Sequence, residues 1–291
     1  RPVAVAMDGG GVVASALDAA LAALPRKQRV FYTIPSGQNP TGCTPSTERK
    51  RAVYAVCRKH GVVILEDDPY YFLTMPEETP LGEGAMPGAD PARLPDSYLR
   101  LDVDGRVIRL DSAAKIVAPG LRLGWVSAPH DFLDKFTVLS ETSVQFPSGA
   151  AQATMLALLG ASDFDASLRK TQFEYARRRD VLVGALRSEL AAAAEADGQP
   201  PLATVDSPTA GMFLWLHQVV ADDSRGLMDD MVANGVACIP GACFAPPETQ
   251  AQDCPFLRLT FASATDDEMK SGAKRVVATL AARRAAAAPA P

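Results

Sequence analysis

The sequence predicts an α/β protein, a three-layer large domain built on a mostly parallel sheet and followed by a smaller α+β domain. Two apolar, β-branched runs, residues 30–34 and 62–65, flank a helical stretch led by Ser46, and such a strand–helix–strand unit implies parallel strands. Asp197-Gly198-Gln199-Pro200-Pro201 is the sharpest composition break, and it ends a long helix-forming stretch rich in Arg, Ala and Leu. Beyond it, short strands and helices alternate to the end. The large domain is therefore placed at residues 1–195, including the long connector helix, the small domain at 196–284, and a low-complexity tail, expected to be disordered, at 285–291.

In chain order, residues 3–7 read as a strand and Asp8-Gly9-Gly10-Gly11 as a turn, because the glycines lack the G-x-G-x-x-G spacing of a phosphate loop. Ser15 is read as the cap of an alanine-leucine helix running to about Leu24. The strand at 30–34 ends in Pro35-Ser36-Gly37-Gln38-Asn39-Pro40-Thr41-Gly42, where two prolines and two glycines forbid regular structure. A helix to about His60 and the strand at 62–65 follow, and at that strand's end Asp68 is read as a helix cap. Residues 74–97, rich in Pro, Gly and Glu, form a long excursion, either a flap or an insertion. Residues 98–103 and 106–110 read as strands around an Asp104-Gly105 hairpin turn. Helices are expected from about 131, over 150–159 and over about 164–194; then a strand at 211–216, a helix at 225–234, strands at 236–239 and 256–261, and a terminal helix from Asp266.

With 291 residues, 47% of them hydrophobic, the chain has enough apolar content for a sizeable core. The formal charge, 29 − 34 = −5, is made of interspersed acids and bases, so neither a nucleic acid nor a membrane surface is an expected partner. Five irregularly spaced cysteines without a C-x-x-C pair read as reduced thiols, and no zinc pattern is present. No apolar run approaches the roughly 20 residues a bilayer span needs, and Arg1-Pro2 does not open a signal peptide; a cytoplasmic location is expected.

The chemistry concentrates in residues 111–125, DSAAKIVAPGLRLGW, a loop between two strands. Lys115 at a strand end is most often a solvated side chain. Here Ser112 lies three residues before it and Arg122 seven after, with Pro119-Gly120 turning the arginine back. Amine, hydroxyl and guanidinium together suit an aldehyde cofactor that carries a phosphate. Ligands of open α/β sheets bind at the carboxyl ends of strands, and Asn39, Asp67 and Lys115 each follow a predicted strand. Arg258 stands mid-strand between two leucines, a position that leaves its head in water at an edge or demands an anion.

The order Ser-x-x-Lys, Pro-Gly, Leu-Arg-Leu-Gly resembles the lysine loop of fold-type-I, pyridoxal-phosphate-dependent aminotransferases of class I/II. Asn39-Pro40-Thr41-Gly42 and Asp67 agree with that family in their separation, 67 − 39 = 28, and Tyr70 follows Asp67 by three. The runs Asp67-Asp68-Pro69-Tyr70-Tyr71-Phe72-Leu73, Gly211-Met212-Phe213-Leu214-Trp215 and Phe256-Leu257-Arg258, with residues 102–109, are similar to the kynurenine/α-aminoadipate and fungal aromatic aminotransferase branch. The resemblance covers about residues 3–280. It implies a homodimer using pyridoxal 5'-phosphate to move an amino group from an aromatic amino acid, kynurenine or 2-aminoadipate to a 2-oxo acid such as 2-oxoglutarate.

It further implies a role for each matching residue: Lys115 bonds the cofactor and moves the proton, and Asp67 pairs with the pyridine nitrogen. Tyr70 and Asn39 donate to the ring oxygen, Ser112 and Arg122 hold the phosphate, and Arg258, beside Asn39, clamps the substrate carboxylate. The chain departs from the family at Ala114, where a second serine is usual. The resemblance also implies that the chain begins part-way into the family's large domain, without its first phosphate loop and ring-stacking aromatic. An effector domain or remnant that binds the cofactor without turnover is the alternative reading, and a lyase or decarboxylase of the same fold stands beside it.

Overall fold

The computed structural model describes residues 2–25, 29–75, 94–161, 163–247 and 249–287. The chain opens with a two-residue hairpin, β1 (Met7–Asp8) against β2 (Gly11–Val12), and not with the longer strand expected over 3–7. Asp8 makes the difference: its Oδ1 accepts from Gly10 N at 2.8 Å and closes the turn at once. Helix α1 (Ala14–Ala23) starts one residue before Ser15, with Val13 at its cap, so Ser15 lies inside the helix and caps nothing.

Strand β3 (Val30–Thr33), helix α2 (Thr47–His60) and strand β4 (Val63–Asp67) form the expected crossover unit. Ser46 Oγ accepts from Arg49 N at 3.2 Å, Glu48 stands in the first turn, Arg58, Lys59 and His60 in the last, and Gly61 closes the helix in the left-handed region at φ 64°. Each of these choices favours helix on its own terms, caps and dipole alike. Residues 76–93 lie outside the described residues, and with them most of the excursion expected over 74–97.

The hairpin expected around Asp104-Gly105 is not formed. Helix α3 (Tyr98–Leu101), capped by Ser97 Oγ, takes the place of its first strand. The Glu66 carboxylate accepts from Tyr98 N at 2.8 Å and Leu99 N at 3.0 Å, binding the orphan donors that a helix start exposes. Asp102 Oδ2 then takes Arg106 N and Val107 N, launching β5 (Val107–Ser112) parallel to β4. Strand β6 (Gly124–Ser127) returns antiparallel, and the sheet order is β3-β4-β5-β6. Leu17, Leu21, Val53, Cys57, Ile64 and Val107 bury the face of this sheet that α1 and α2 cover.

Helices α4 (His130–Thr142), α5 (Gly149–Leu159) and the 34-residue α6 (Phe164–Asp197) follow. Val138, Leu139, Val144, Phe146, Leu156 and Leu159 leave a broad apolar surface on this stretch. Past the Gly198 break come β7 (Ala203–Val205), β8 (Phe213–Gln218), α7 (Met228–Ala233), β9 (Ile239–Pro240), β10 (Phe256–Thr260) and α8 (Asp266–Ala287). The sheet order is β7-β8-β10-β9, all antiparallel. The expected strand over 236–239 shrinks to Ile239–Pro240, since Val236 turns into the core beside Met231. Residues 285–287 continue α8, so the helix enters the tail that was expected to be disordered; residues 288–291 lie outside the described residues. Among the described residues no helix is long and apolar enough to cross a membrane.

Leu214, Leu216, Leu257 and Leu259 turn one face of the second sheet onto α6 and α8, and the alternate residues Phe213, Trp215, Phe256 and Arg258 therefore face the other way. The first sheet meets that other face through backbone. Gly37, at φ 51°, lies so close to Ala210 that a Cβ would fall 2.4 Å from its carbonyl, and no L side chain fits. Gly211 N bonds Leu73 O and Met75 N bonds Thr209 O, completing the seam.

Candidate active site

Parallel pairing brings the C-terminal ends of β3, β4 and β5 to one edge. Asp67 closes β4, Ser112 closes β5, and Asn39 stands in the loop after β3. The register Asp67↔Leu110 with strand alternation puts Asp67 and Ser112 on one face of the sheet and Glu66, Arg109 and Asp111 on the other. Lys115 sits in the turn after Ser112, where Val117 N donates to Ala113 O and Ala114 N to Ser112 Oγ. The chain then returns through Pro119–Leu121 and an Arg122 in the left-handed region at φ 48°. Because Ala113 N bonds Leu123 O and Ser112 pairs with Gly124, β6 returns Arg122 to the end of β5 from which the lysine turn leaves. Arg122 is exposed and donates to Pro119 O at 3.3 Å. Among the described residues no carboxylate pairs with Lys115 or with Arg122.

The second sheet supplies the other side. Arg258 is half-buried on β10, an inner strand, so the edge expectation does not hold, and no acid among the described residues pairs with it. It is held instead by neutral groups. Nη1 donates to Asn39 Oδ1 at 2.8 Å, and the guanidinium lies 4.3 Å above the Phe213 ring and 4.9 Å from that of Phe244. Burial lowers its pKa, an uncompensated cation being disfavoured there. Tyr70 packs edge-on against the same Phe213 ring at 5.9 Å. Burial raises the Tyr70 phenol, the Asp67 charge adds to this and Arg258 opposes it, so acid, phenol and guanidinium share one neighbourhood.

Two features escaped the sequence. Tyr32 donates to Asp67 Oδ2 at 2.6 Å, and burial together with that carboxylate raises its pKa. Tyr32 pointed outward in an alternating strand, and only the β3–β4 register reveals its reach. Behind the site, on the opposite face of the same strands, lies a sealed charge cluster. Arg109, 5% exposed, donates Nε and Nη2 to Asp111 at 2.9 and 2.8 Å and Nη1 to Asp68 Oδ2 at 3.1 Å, with Glu66 at 3.4 Å. Tyr71 covers it, 4.2 Å from the guanidinium, and fully buried Lys50 donates to Asp96 O. Asp68 is thus no helix cap, as the sequence suggested: it is 1% exposed and committed to Arg109 and Ser36. Burial pushes its carboxyl up to about 7, with Arg109 opposing and Glu66 reinforcing the shift. Burial also pulls against the Arg109 charge, yet Asp111, Asp68 and Glu66 hold that pKa above its ordinary value.

A sequence profile of the family described as aminotransferase class I and II matches residues 2–276. The chain belongs to this family. Among curated relatives of this chain, swnA from Metarhizium robertsii, named an aminotransferase, is 44% identical over 225 residues, 74% of this chain and 42% of its own. The L-tyrosine:2-oxoglutarate aminotransferase amt1 of Serpula lacrymans is 36% identical over 274 residues, 83% of this chain and 51% of its own. The crystal structure of the aminotransferase Aro8 from Candida albicans superposes with a TM-score of 0.83 at 30% identity, covering 97% of this chain and 63% of that one. The chain spans about half the length of the curated relatives it matches.

The cofactor that the family implies is pyridoxal 5'-phosphate. The donor set at the strand edge fits its chemistry: a lysine with no carboxylate partner among the described residues for an aldehyde, a half-buried acid for a ring nitrogen, and a hydroxyl and a guanidinium carried at the same end of the β5–β6 pair for a phosphate. Ala114 adds no hydroxyl to that set.

Proposed function

We propose that the chain forms the cofactor- and carboxylate-binding part of a pyridoxal-phosphate-dependent aminotransferase, acting between an aromatic, kynurenine-type or 2-aminoadipate-type amino acid and a 2-oxo acid such as 2-oxoglutarate. The observation that carries this reading is the Asn39–Arg258 contact, 219 residues apart in sequence, which holds beside Tyr70 a guanidinium with no acid partner among the described residues. A carboxylate is what such a half-buried, uncompensated cation would bind. The names of two relatives support the substrate class: the L-tyrosine:2-oxoglutarate aminotransferase of Serpula lacrymans and a kynurenine/α-aminoadipate aminotransferase of Bos taurus, 31% identical over 252 residues.

In this reading the bound cofactor supplies an electrophilic carbon for amines and a ring that accepts electrons from the substrate's Cα. Lys115 takes the Cα proton and returns it, as general base and then general acid. Asp67 keeps a proton on the ring nitrogen. Tyr70 and Asn39 donate to the ring oxygen, Ser112 and Arg122 hold the phosphate, and Arg258 takes the substrate carboxylate as a charge-assisted fork. Residues 1–195 are read as the cofactor-binding domain and 196–284 as the small domain, with α6 between them. A homodimer is part of the proposal, supported by the apolar surface of α4 and α5. A cytoplasmic setting accords with five unpaired thiols.

The test is amino transfer to 2-oxoglutarate by the purified protein supplied with pyridoxal phosphate. Transfer from tyrosine, kynurenine or 2-aminoadipate is expected, together with a visible absorption band lost in Lys115→Ala. Cofactor binding with no transfer from any donor would favour the second reading, a binding domain without turnover.

A further inference from the structure

We infer that Asp68 is the positioning residue of this site, one carboxylate oxygen tying together the three chain segments that carry Asn39, Asp67 and Lys115. The inference rests on the functional reading above for what those segments do, and on geometry for how they are held. Asp68 follows Asp67 directly. Its Oδ2 accepts from Ser36 Oγ at 3.1 Å, three residues before Asn39, and from Arg109 Nη1 at 3.1 Å. Arg109 in turn grips Asp111 with two bonds, immediately before Ser112 and four residues before Lys115. Ser36 and Asp68 are buried, so neither bond competes with water.

Backbone pairing cannot do this work. The β3–β4 register ends at Thr33↔Glu66, and the β4–β5 ladder ends with Asp68 N on Leu110 O. Past those points β3 and β4 pass into loops, and the Ser36–Asp68–Arg109–Asp111 chain ties those loops to β5, which runs on against β6 to Ser112. Glu66 does not share the role, because both of its oxygens bind the start of α3. The two oxygens of Asp68 are unequal: Oδ2 takes both bonds, while Oδ1 is buried without a partner. An asparagine whose amide oxygen occupied the Oδ2 place would therefore keep the tie, and an alanine would cut it.

Hydrogen exchange and cofactor affinity test this on Asp68→Ala, Ser36→Ala and Asp68→Asn. The amides to follow are Gln38 and Gly42, bonded across the Asn39 loop, and Ala113 and Val117 in the lysine turn, with Ile64 in mid-strand as control. In Asp68→Ala all four should exchange about tenfold faster with Ile64 unchanged, and the dissociation constant for pyridoxal phosphate should rise about tenfold, as expected for lost buried hydrogen bonds. Ser36→Ala should loosen Gln38 and Gly42 alone. Asp68→Asn should stay near the unaltered protein in both readouts. Unchanged exchange in the two alanine variants, a uniform rise that includes Ile64, or an asparagine variant as loose as the alanine would each overturn the inference. Should Asp68→Ala not fold, Ser36→Ala against Asp68→Asn decides it. An unaltered protein that binds no cofactor would overturn the functional reading, and the exchange pattern would still decide the tie.

Discussion

The same two strand ends carry charge on both faces, and the two faces treat it in opposite ways. On one, Arg109 is saturated by Asp68, Asp111 and Glu66, sealed under Tyr71. On the other, Lys115, Arg122 and, from the second sheet, Arg258 have no carboxylate partner among the described residues. Buried charges that satisfy one another fix geometry, and removing one leaves the others stranded. Cations held only by neutral groups keep their charge uncompensated, and so remain open to an anion. The contrast separates charges that satisfy one another from cations that have no acid partner among the described residues.

The sharpest break of that contrast is Lys115→Ala. Amino transfer should fall at least about 10³-fold, the scale of a lost acid–base and nucleophilic group, while the thermal midpoint stays in place. A large loss of stability would show that the open face is structural after all. On the sealed face the signs reverse: Arg109→Ala strands three carboxylates and should lower unfolding free energy by about 3–5 kcal/mol, read by urea titration. Arg258→Lys keeps the charge and loses the fork; kcat/KM for the amino acid should fall roughly 10- to 100-fold, mostly through KM. An unchanged KM would remove Arg258 from carboxylate binding.

The smallest effect is a slope. Asp68 titrates near 7 in the fold against a reference of 3.8, so the native state keeps a proton that the unfolded chain releases. Its contribution to stability is present below about pH 4 and is lost as pH rises through about 7. Carboxylates held low, such as Glu174 beside Arg177, act the other way and lose their contribution on acidification. Asp68→Asn should abolish the decline assigned to Asp68, so the variant gains on the unaltered protein between pH 5 and pH 8 in urea midpoints. Parallel curves for the two would contradict a protonated Asp68.

Where local chemistry and the fold agree, the sequence was sufficient. The Ser46 cap, the crossover to β4 and the Pro119-Gly120 turn that brings the chain back along β5 were all legible from spacing alone. The failures share one cause. Residues 98–101 are β-prone, but Glu66, more than thirty residues earlier, offers its carboxylate to their amides and makes a helix. Asp68 has the local features of a cap, and Arg109 and Ser36, its actual partners, are 41 and 32 residues away. Tyr32 and Asp67 are 35 apart. Side chains whose partners lie on neighbouring strands carry no local signature, and the sealed cluster consists of little else.

The chain has two tryptophans, and each stands beside a different half of the site. Trp125 is registered against Asp111, one strand from the lysine turn; Trp215 stacks on Phe256 at 5.1 Å and meets Phe244, whose ring neighbours Arg258. Replacing either indole by phenylalanine leaves a single tryptophan, which can be excited apart from the six tyrosines, so cofactor arrival and substrate arrival can be watched as separate optical events without attaching a dye.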